Sequence, residues 1–340
     1  MKKTWSFELL QRVGDKRLFT AHWGTDNLEW MKRIAASDCV VFSDVSMPGA
    51  ADSVLKVLAQ VPNPDSFVFL CNDYQVYEDR RRAGLNAHFI NQNAFINERR
   101  LDFQEGAEKE YDAVYNARLR PVKRHSLAKL VGERLKLALI IGHHTPGLGS
   151  IPDSEIPKNV YMNKFQLMPE TVSRILSKSR VGLILSESEG ACFASSEYLL
   201  TGLPVVSTPS RGGRDFWYDE YNSIICEPNE ESVYQSVQTL INEPRDPKVI
   251  REGHIKKMYM HRQKFIERIY KPFVDGVVDD IEADAIFDKL EFRRYMAFQS
   301  KFSWKSMESI LTFIDEDRSV YDDEPERFQP ALEPVVKSVL

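Results

Sequence analysis

The feature that most constrains this chain is an alternation, met twice, between short apolar runs and segments of helical spacing. In the first hundred residues, helical spacing over 27–37 leads into an apolar run at 38–45. A second helical segment at 49–61 leads into a run at 66–72, and a charged stretch from Tyr74 leads into a third run at 86–92. Short buried-strand runs joined by amphipathic helices predict βαβ units and a parallel sheet. A polar, acidic stretch at 101–112 interrupts the pattern, which then restarts. Strands are predicted at 112–119, 135–142, 159–165, 180–186, 204–208 and 222–228, with helices between most of them. Residues 251–340 lose the strand alternation and read as mostly helical. The expected fold is α/β: a short Rossmann-like domain over 1–107, a second over 108–250, and a helical extension over 251–340 that crosses back to the first. A length of 340 residues suits about two domains.

Charge and apolar patterning exclude several classes. A net charge of −5 lacks the basic excess of a general nucleic-acid binder. No run of 18 apolar residues is present, so no membrane span is expected. Glu8, Arg12, Asp15 and Lys16 break the N-terminal stretch before it reaches the length of a signal-peptide core. A cytoplasmic protein is expected. Cys39, Cys71, Cys192 and Cys226 lie in or beside apolar runs without CxxC spacing and read as buried, reduced thiols. No pair of histidines has metal-ligand spacing with a nearby carboxylate, so no metal site is expected. The acidic cluster 279–284 reads as a solvated face.

The most informative stretch is 183–208, LILSESEGACFASSEYLLTGLPVVST. A buried strand ends in a polar turn, Gly190 is expected to open a helix, and Gly202 to close it. Glu189 falls at the C-terminal edge of the sheet, where open α/β sheets bind ligands. Glu197 is expected about two turns into the helix, on roughly the same face. A helix N-terminus offers free N–H groups to phosphate, and Gly190, Ala191 and Ala194 are small enough for a close approach. Two carboxylates beside such a site suit a ligand rich in hydroxyls, each accepting two hydrogen bonds.

The spacing E-x₇-E over 189–197, followed by GLPVVST and RGGRD, resembles the donor-binding half of retaining GT-B glycosyltransferases, in particular glycosyltransferase family 4, or group 1. Upstream, NARLRPVKRH at 116–125 is similar to that family's strand-end motif, with Arg118 followed five residues later by Lys123. The order of motifs covers 110–245.

The resemblance implies a nucleotide-sugar donor, a glycan, lipid-linked or protein acceptor, and no metal or further cofactor. Glu197 would bind the ribose, Glu189 the hydroxyls of the donor sugar. Backbone groups from Ala191 through Cys192 and Phe193 to Ala194 would hold sugar and phosphate. Arg118 and Lys123 would neutralise the leaving diphosphate, where electrostatic catalysis acts. Phe165 and Gln166 fall in the base-contacting loop. Retention implies front-face attack, the leaving phosphate taking the acceptor's proton. Alternatives stay open residue by residue: Glu189 as a helix cap, Glu197 as a solvated helix residue, Arg118 and Lys123 as surface charges. Asp215 lies at the family's GG-x-E position, as ligand or as loop closure. Arg211 and Arg214 read as phosphate contacts or as a solvated loop, and His22 and His143 as cleft or turn residues.

The chain departs from the family in its short N-terminal half, which shows no glycine-rich loop. The acceptor side is either reduced or completed by the last 90 residues. The stretch 251–271 is strongly basic, with Met258, Tyr259, Met260 and Phe265 interleaved. It reads as a crossing helix or as a contact with an anionic membrane surface at the inner face. A nucleotide-sugar epimerase and a non-catalytic scaffold are the competing functions.

Overall fold

The computed structural model describes residues 6–22, 28–44, 51–101, 103, 106–142, 151–165, 167–291, 311, 314 and 315. Its first sheet has five strands in spatial order: β1 (Ser6–Val13), β2 (Lys16–His22), β3 (Cys39–Asp44), β4 (Phe67–Cys71) and β5 (Ala87–Phe89). All neighbours are parallel except the β1–β2 hairpin. Helices α1 (Leu28–Met31), α2 (Ala51–Leu58) and α3 (Tyr74–Arg82) make the crossovers. A spatial order that follows the chain, with right-handed crossovers, puts all three on one face. There Trp30, Met31, Val54, Leu58 and Val76 pack against Phe19, Phe42, Phe67 and Phe69. Two sequence expectations change here. The helix expected over 27–37 is a single turn, and 6–13 is a strand that the pattern does not show.

The opposite face carries Leu10, Leu18, Val41, Val68 and Leu70, and it is covered from the far end of the chain. Helix α8 (Pro247–Phe265) runs through a π turn at 266–270 into α9 (Lys271–Val274), and α10 (Asp280–Leu290) follows. Phe265, Ile269, Tyr270, Phe273, Ile286 and Phe287 supply the missing layer. The first sheet is thus completed by the helical extension.

The second sheet is wholly parallel. Its strands are β6 (Tyr111–Asn116), β7 (Leu137–Ile140), β8 (Tyr161–Met162), β9 (Ser179–Ile184), β10 (Val205–Ser207) and β11 (Ser223–Ile225), in the order β11-β10-β9-β6-β7-β8. Helices α4 (Lys129–Arg134), α5 (Pro169–Ser177) and α6 (Phe193–Leu200) join β6 to β7, β8 to β9 and β9 to β10, α7 (Glu230–Asn242) follows β11, and apolar clusters fill both faces. The chain winds outward from β6 to β8, returns to β9 and winds the other way. The order therefore reverses between β6 and β9, the place where such sheets leave a crevice at their C-terminal ends.

Helix α8 begins on the second sheet, where Ile250 and Met258 join its core, and ends on the first. Arg251 donates to the Glu98 carbonyl at 2.9 Å and the Leu101 carbonyl at 3.1 Å. Arg262 donates to the Ala94 and Ile96 carbonyls at 2.6 and 2.9 Å and pairs with Glu98 at 2.6 Å. Lys257 pairs with Asp219 at 2.9 Å. These three cations of the basic stretch 251–271 are therefore engaged within the protein. The acidic cluster is also more than a solvated face: Asp279 caps α10 by accepting from the Glu282 amide at 2.8 Å, and the Tyr270 hydroxyl donates to the Glu282 carboxylate. Among the described residues no helix is long and apolar enough to cross a membrane.

Candidate donor site

The loop leaving β6 carries Arg118 and Lys123. It is tied down on both sides: the Tyr115 hydroxyl donates to the Lys123 carbonyl, and the Glu187 amide donates to the Val122 carbonyl at 3.0 Å. Arg124, in the left-handed region at φ +49°, donates to the Leu185 carbonyl and the Thr208 hydroxyl, both at 2.6 Å. The ends of β6, β9 and β10 are thereby stitched together at the crevice. Lys123 forms an ion pair with Glu189, with side-chain exposures of 20% and 14%. Burial, and then the charge of Glu189, raise the Tyr115 pKa, so this phenol stays protonated. Arg118 sits beside the Gly142 backbone and has no ion pair among the described residues. Its side chain is solvent-accessible, yet the surrounding protein and the charge of Arg120 pull its pKa below the ordinary value.

The turn after β9 is held by its backbone. The Glu189 amide donates to the Arg211 carbonyl at 3.0 Å, and the Arg211 amide to the Glu187 carbonyl at 3.1 Å. The paired glycines of RGGRD each have a steric reason. Gly212 lies at φ +110°, and a Cβ there would stand 1.7 Å from the Glu189 carbonyl oxygen; one on Gly213 would stand 1.9 Å from the Asn72 oxygen of the first unit. Arg214 does not sit in a solvated loop. It is fully buried and donates to the Ser186 carbonyl at 3.0 Å, the Ser186 hydroxyl at 2.9 Å and the Thr208 carbonyl. Asp215 accepts from Arg214 at 2.9 Å. The Arg211 side chain is exposed.

Helix α6 starts at Phe193, three residues later than the sequence suggests, so Gly190, Ala191 and Cys192 form a loop. Cys192 occupies the cap position at φ +54°, and no side chain caps the helix. Glu189 is therefore not a cap, and the first amides of α6 keep their capacity to bind an anion. Burial, and then Glu189, push the Cys192 thiol up to about 12, so it is a neutral thiol near pH 7. Glu197 lies one turn into α6 rather than two. It is fully buried rather than solvated, accepting from the Asn116 side chain at 3.0 Å. The Tyr198 hydroxyl accepts from the Asn116 amide at 2.6 Å, and its ring lies against Gly182, where a Cβ would come within 2.3 Å.

Beyond β8, Asn163 donates to the Ile141 and Phe165 carbonyls, both at 2.8 Å, and leaves the Phe165 side chain 83% exposed. Gln166 and His143 lie outside the described residues. His22 ends β2, and its side chain also lies outside them. Sequence reasoning missed Asn72, Asn91, Asn93 and Asn116, all at or just past strand ends. The one available signal was the run NQN at 91–93, which overlaps the end of the strand-like run 86–92. Among the described residues no group of three His, Cys, Asp or Glu side chains is placed to hold a metal ion.

Residues 97–257 match the family model of glycosyl transferases group 1. That span contains the β6 and β9 loops, α6 and the first half of α8. The Anabaena protein Alr3699/HepE in complex with UDP superposes with a TM-score of 0.50 at 14% identity, covering 69% of this chain and 72% of that one. AviGT4, a glycosyltransferase involved in avilamycin A biosynthesis, superposes with a TM-score of 0.51 at 15% identity, covering 74% of this chain and 79% of its own. No curated protein matches in sequence. The two-sheet architecture is the GT-B fold.

Proposed function

We propose that this chain is a retaining, metal-independent glycosyltransferase that moves a sugar from a nucleoside-diphosphate donor to a glycan or lipid-linked acceptor. It needs no cofactor beyond the donor. The observation that carries the reading is the Lys123–Glu189 ion pair, made by the loop after β6 and the turn after β9 at the strand-order reversal, together with the uncapped start of α6; Arg118 lies on the same loop as Lys123. Cations and free amides at that edge meet the charge that develops on a departing diphosphate. Buried Glu197, oriented by Asn116, suits a ribose diol. Glu189 suits donor-sugar hydroxyls. The bond from anomeric carbon to diphosphate breaks, the acceptor oxygen bonds on the same face, and its proton passes to the leaving phosphate.

A thermal-shift panel with UDP, GDP, ADP and CMP tests the donor site. Ligand at about 100 times its Kd stabilises by roughly 2.7 kcal/mol, and a selective shift of several degrees is expected. No shift with any nucleotide would instead favour the scaffold reading. Glu197→Ala is expected to weaken nucleotide binding, and both activities at wild-type rate in Glu197→Ala and Glu189→Ala would overturn the assignment. Product analysis separates transfer from epimerisation, since only transfer yields a new glycoside. Contact with an anionic membrane is supported by Lys256, Lys264, Arg268 and Lys271, all exposed on α8 and its continuation. Flotation with anionic liposomes at low salt, lost at high salt, is the expected result.

A further inference from the structure

The two units meet through three buried asparagines at the C-terminal edge of the first sheet: Asn72 after β4, and Asn91 and Asn93 after β5. Asn72 accepts from the Gln92 amide at 2.8 Å through its side chain. The Asn91 side chain donates to the Asn72 carbonyl at 3.1 Å and the Gly213 carbonyl at 3.2 Å, and it accepts from the Asn93 amide at 3.0 Å. Asn93 reaches furthest. Its Nδ2 lies 2.8 Å from the Ala191 carbonyl, 3.1 Å from the Cys192 carbonyl and 2.9 Å from the Ser196 hydroxyl.

Those contacts fix which way the amide points. Turned over, Asn93 would set its carbonyl against two backbone carbonyls. Its Oδ1 is buried and has no hydrogen-bond partner among the described residues, so the orientation is kept although it leaves that atom without one there. The peptide it holds is an unusual one. Cys192 is a non-glycine residue in the left-handed region, a sparsely populated conformation that persists when its surroundings hold it. The same peptide sets the direction of the first amides of α6, which no side chain caps.

We propose that Asn93 is a positioning residue for donor binding. From the first unit it holds the 191–192 peptide in the conformation that presents the α6 amides, so that donor affinity depends on the first unit being seated against the second. This rests on the reading of 189–197 as the donor cradle. Asn93 itself need not touch the donor.

The test compares the full-length wild type with Asn93→Ala, Ser196→Ala and Glu98→Ala in two measurements. Backbone hydrogen exchange over 191–196 reads the clamp without any ligand, and titration calorimetry with UDP, GDP and ADP reads the cradle. In Asn93→Ala exchange is expected to quicken and nucleotide Kd to rise, each by about tenfold, the scale of one or two lost buried hydrogen bonds. Ser196→Ala, which keeps both backbone acceptors, is expected to give a smaller change in the same direction. Glu98→Ala removes a partner of Arg262 elsewhere in the joint between units and is expected to move neither reading. Unchanged exchange in Asn93→Ala overturns the clamp, and quickened exchange with unchanged Kd overturns the positioning role. Quickened exchange in a protein whose wild type binds none of the three nucleotides overturns the donor reading and leaves the clamp standing. Should Asn93→Ala fail to fold, Ser196→Ala decides: wild-type exchange and affinity in that variant overturn the proposal.

Discussion

Lys123 and Glu189 compensate each other at a point where a diphosphate would compete for the cation. On the proposed reading, an incoming diphosphate would have to take Lys123 from its carboxylate, and the pair would set a threshold for binding as well as a geometry for transfer. Glu189→Gln keeps the shape and removes the competing charge. Nucleoside diphosphate is then expected to bind a few-fold tighter, because the ammonium is left uncompensated, while sugar transfer slows as the hydroxyl contact weakens. Calorimetry and product formation check the two halves separately, and weaker nucleotide binding would show that Glu189 is not the competing anion. At this scale the sequence was readable where chemistry forces a residue type at a spacing. Glu189, Arg118 and Lys123, just past strand ends, and Glu197, within α6, stood out through a spacing that resembles a family motif, and the structure pairs Lys123 with Glu189. Asn93 and Arg214 did not stand out. Their roles depend on which backbone carbonyls the fold brings to them, from residues 98 positions away for Asn93 and 28 for Arg214.

Helix α8 shows how an element can carry a pH dependence unrelated to catalysis. His254 and His261 lie seven residues apart on its buried side, against Trp217 and, for His261, also Phe89 and Phe216. Burial, then Lys257, Arg251 and Arg262, lower the His254 pKa to about 3, with Asp219 opposing. Burial and then Lys264 lower His261 to about 4, with the Phe89 backbone carbonyl, which favours the protonated ring, opposing. Both rings are thus neutral in the folded protein and protonate below about pH 6.5 when it unfolds. Their contribution is complete above that pH and is lost as pH falls toward the folded values. At pH 5 the loss is about 2 kcal/mol for each ring. Urea unfolding is expected to show a clearly lower stability at pH 5 than at pH 7, and His254→Leu to reduce that difference. A stability unchanged between the two pH values would sink the argument. Elements were legible unevenly. Alternation located β3, β4, β6, β7, β9 and β10 because parallel strands buried on both faces read as continuous apolar runs. Strand β1 was missed because a bulge between Leu9 and Gln11 breaks its two-residue period: Val13, which alternation would place with Phe7 and Leu9, packs on the face of Leu10 instead. Its turn was signalled only by Gly14, at φ +56° in the two-residue loop between β1 and β2.

For the molecule as a whole, the first sheet depends on chain that follows the second. One face is covered by its own crossover helices, the other by Phe265, Ile269, Tyr270, Phe273 and α10, and α8 begins in the core of the second sheet. Neither half owns all of its core, so unfolding one exposes apolar surface of the other. The dependence was visible in the sequence only as a short first half and a helical tail, since no periodicity shows which sheet a helix will cover. The expected consequence is a single calorimetric transition. Phe265 tests it: it is fully buried and its ring packs 5.5 Å from that of Phe95. Phe265→Ala is expected to cost about 3–5 kcal/mol, at roughly 2–4 °C per kcal/mol for a chain of this class. Because α8 ties the sheets together, the whole transition is expected to move down in temperature without splitting. Two transitions in the wild type, or a variant in which only one part of the heat absorption moves, would mean that the sheets are stable apart. The helical extension would then be a cover for the first sheet and not the joint between them.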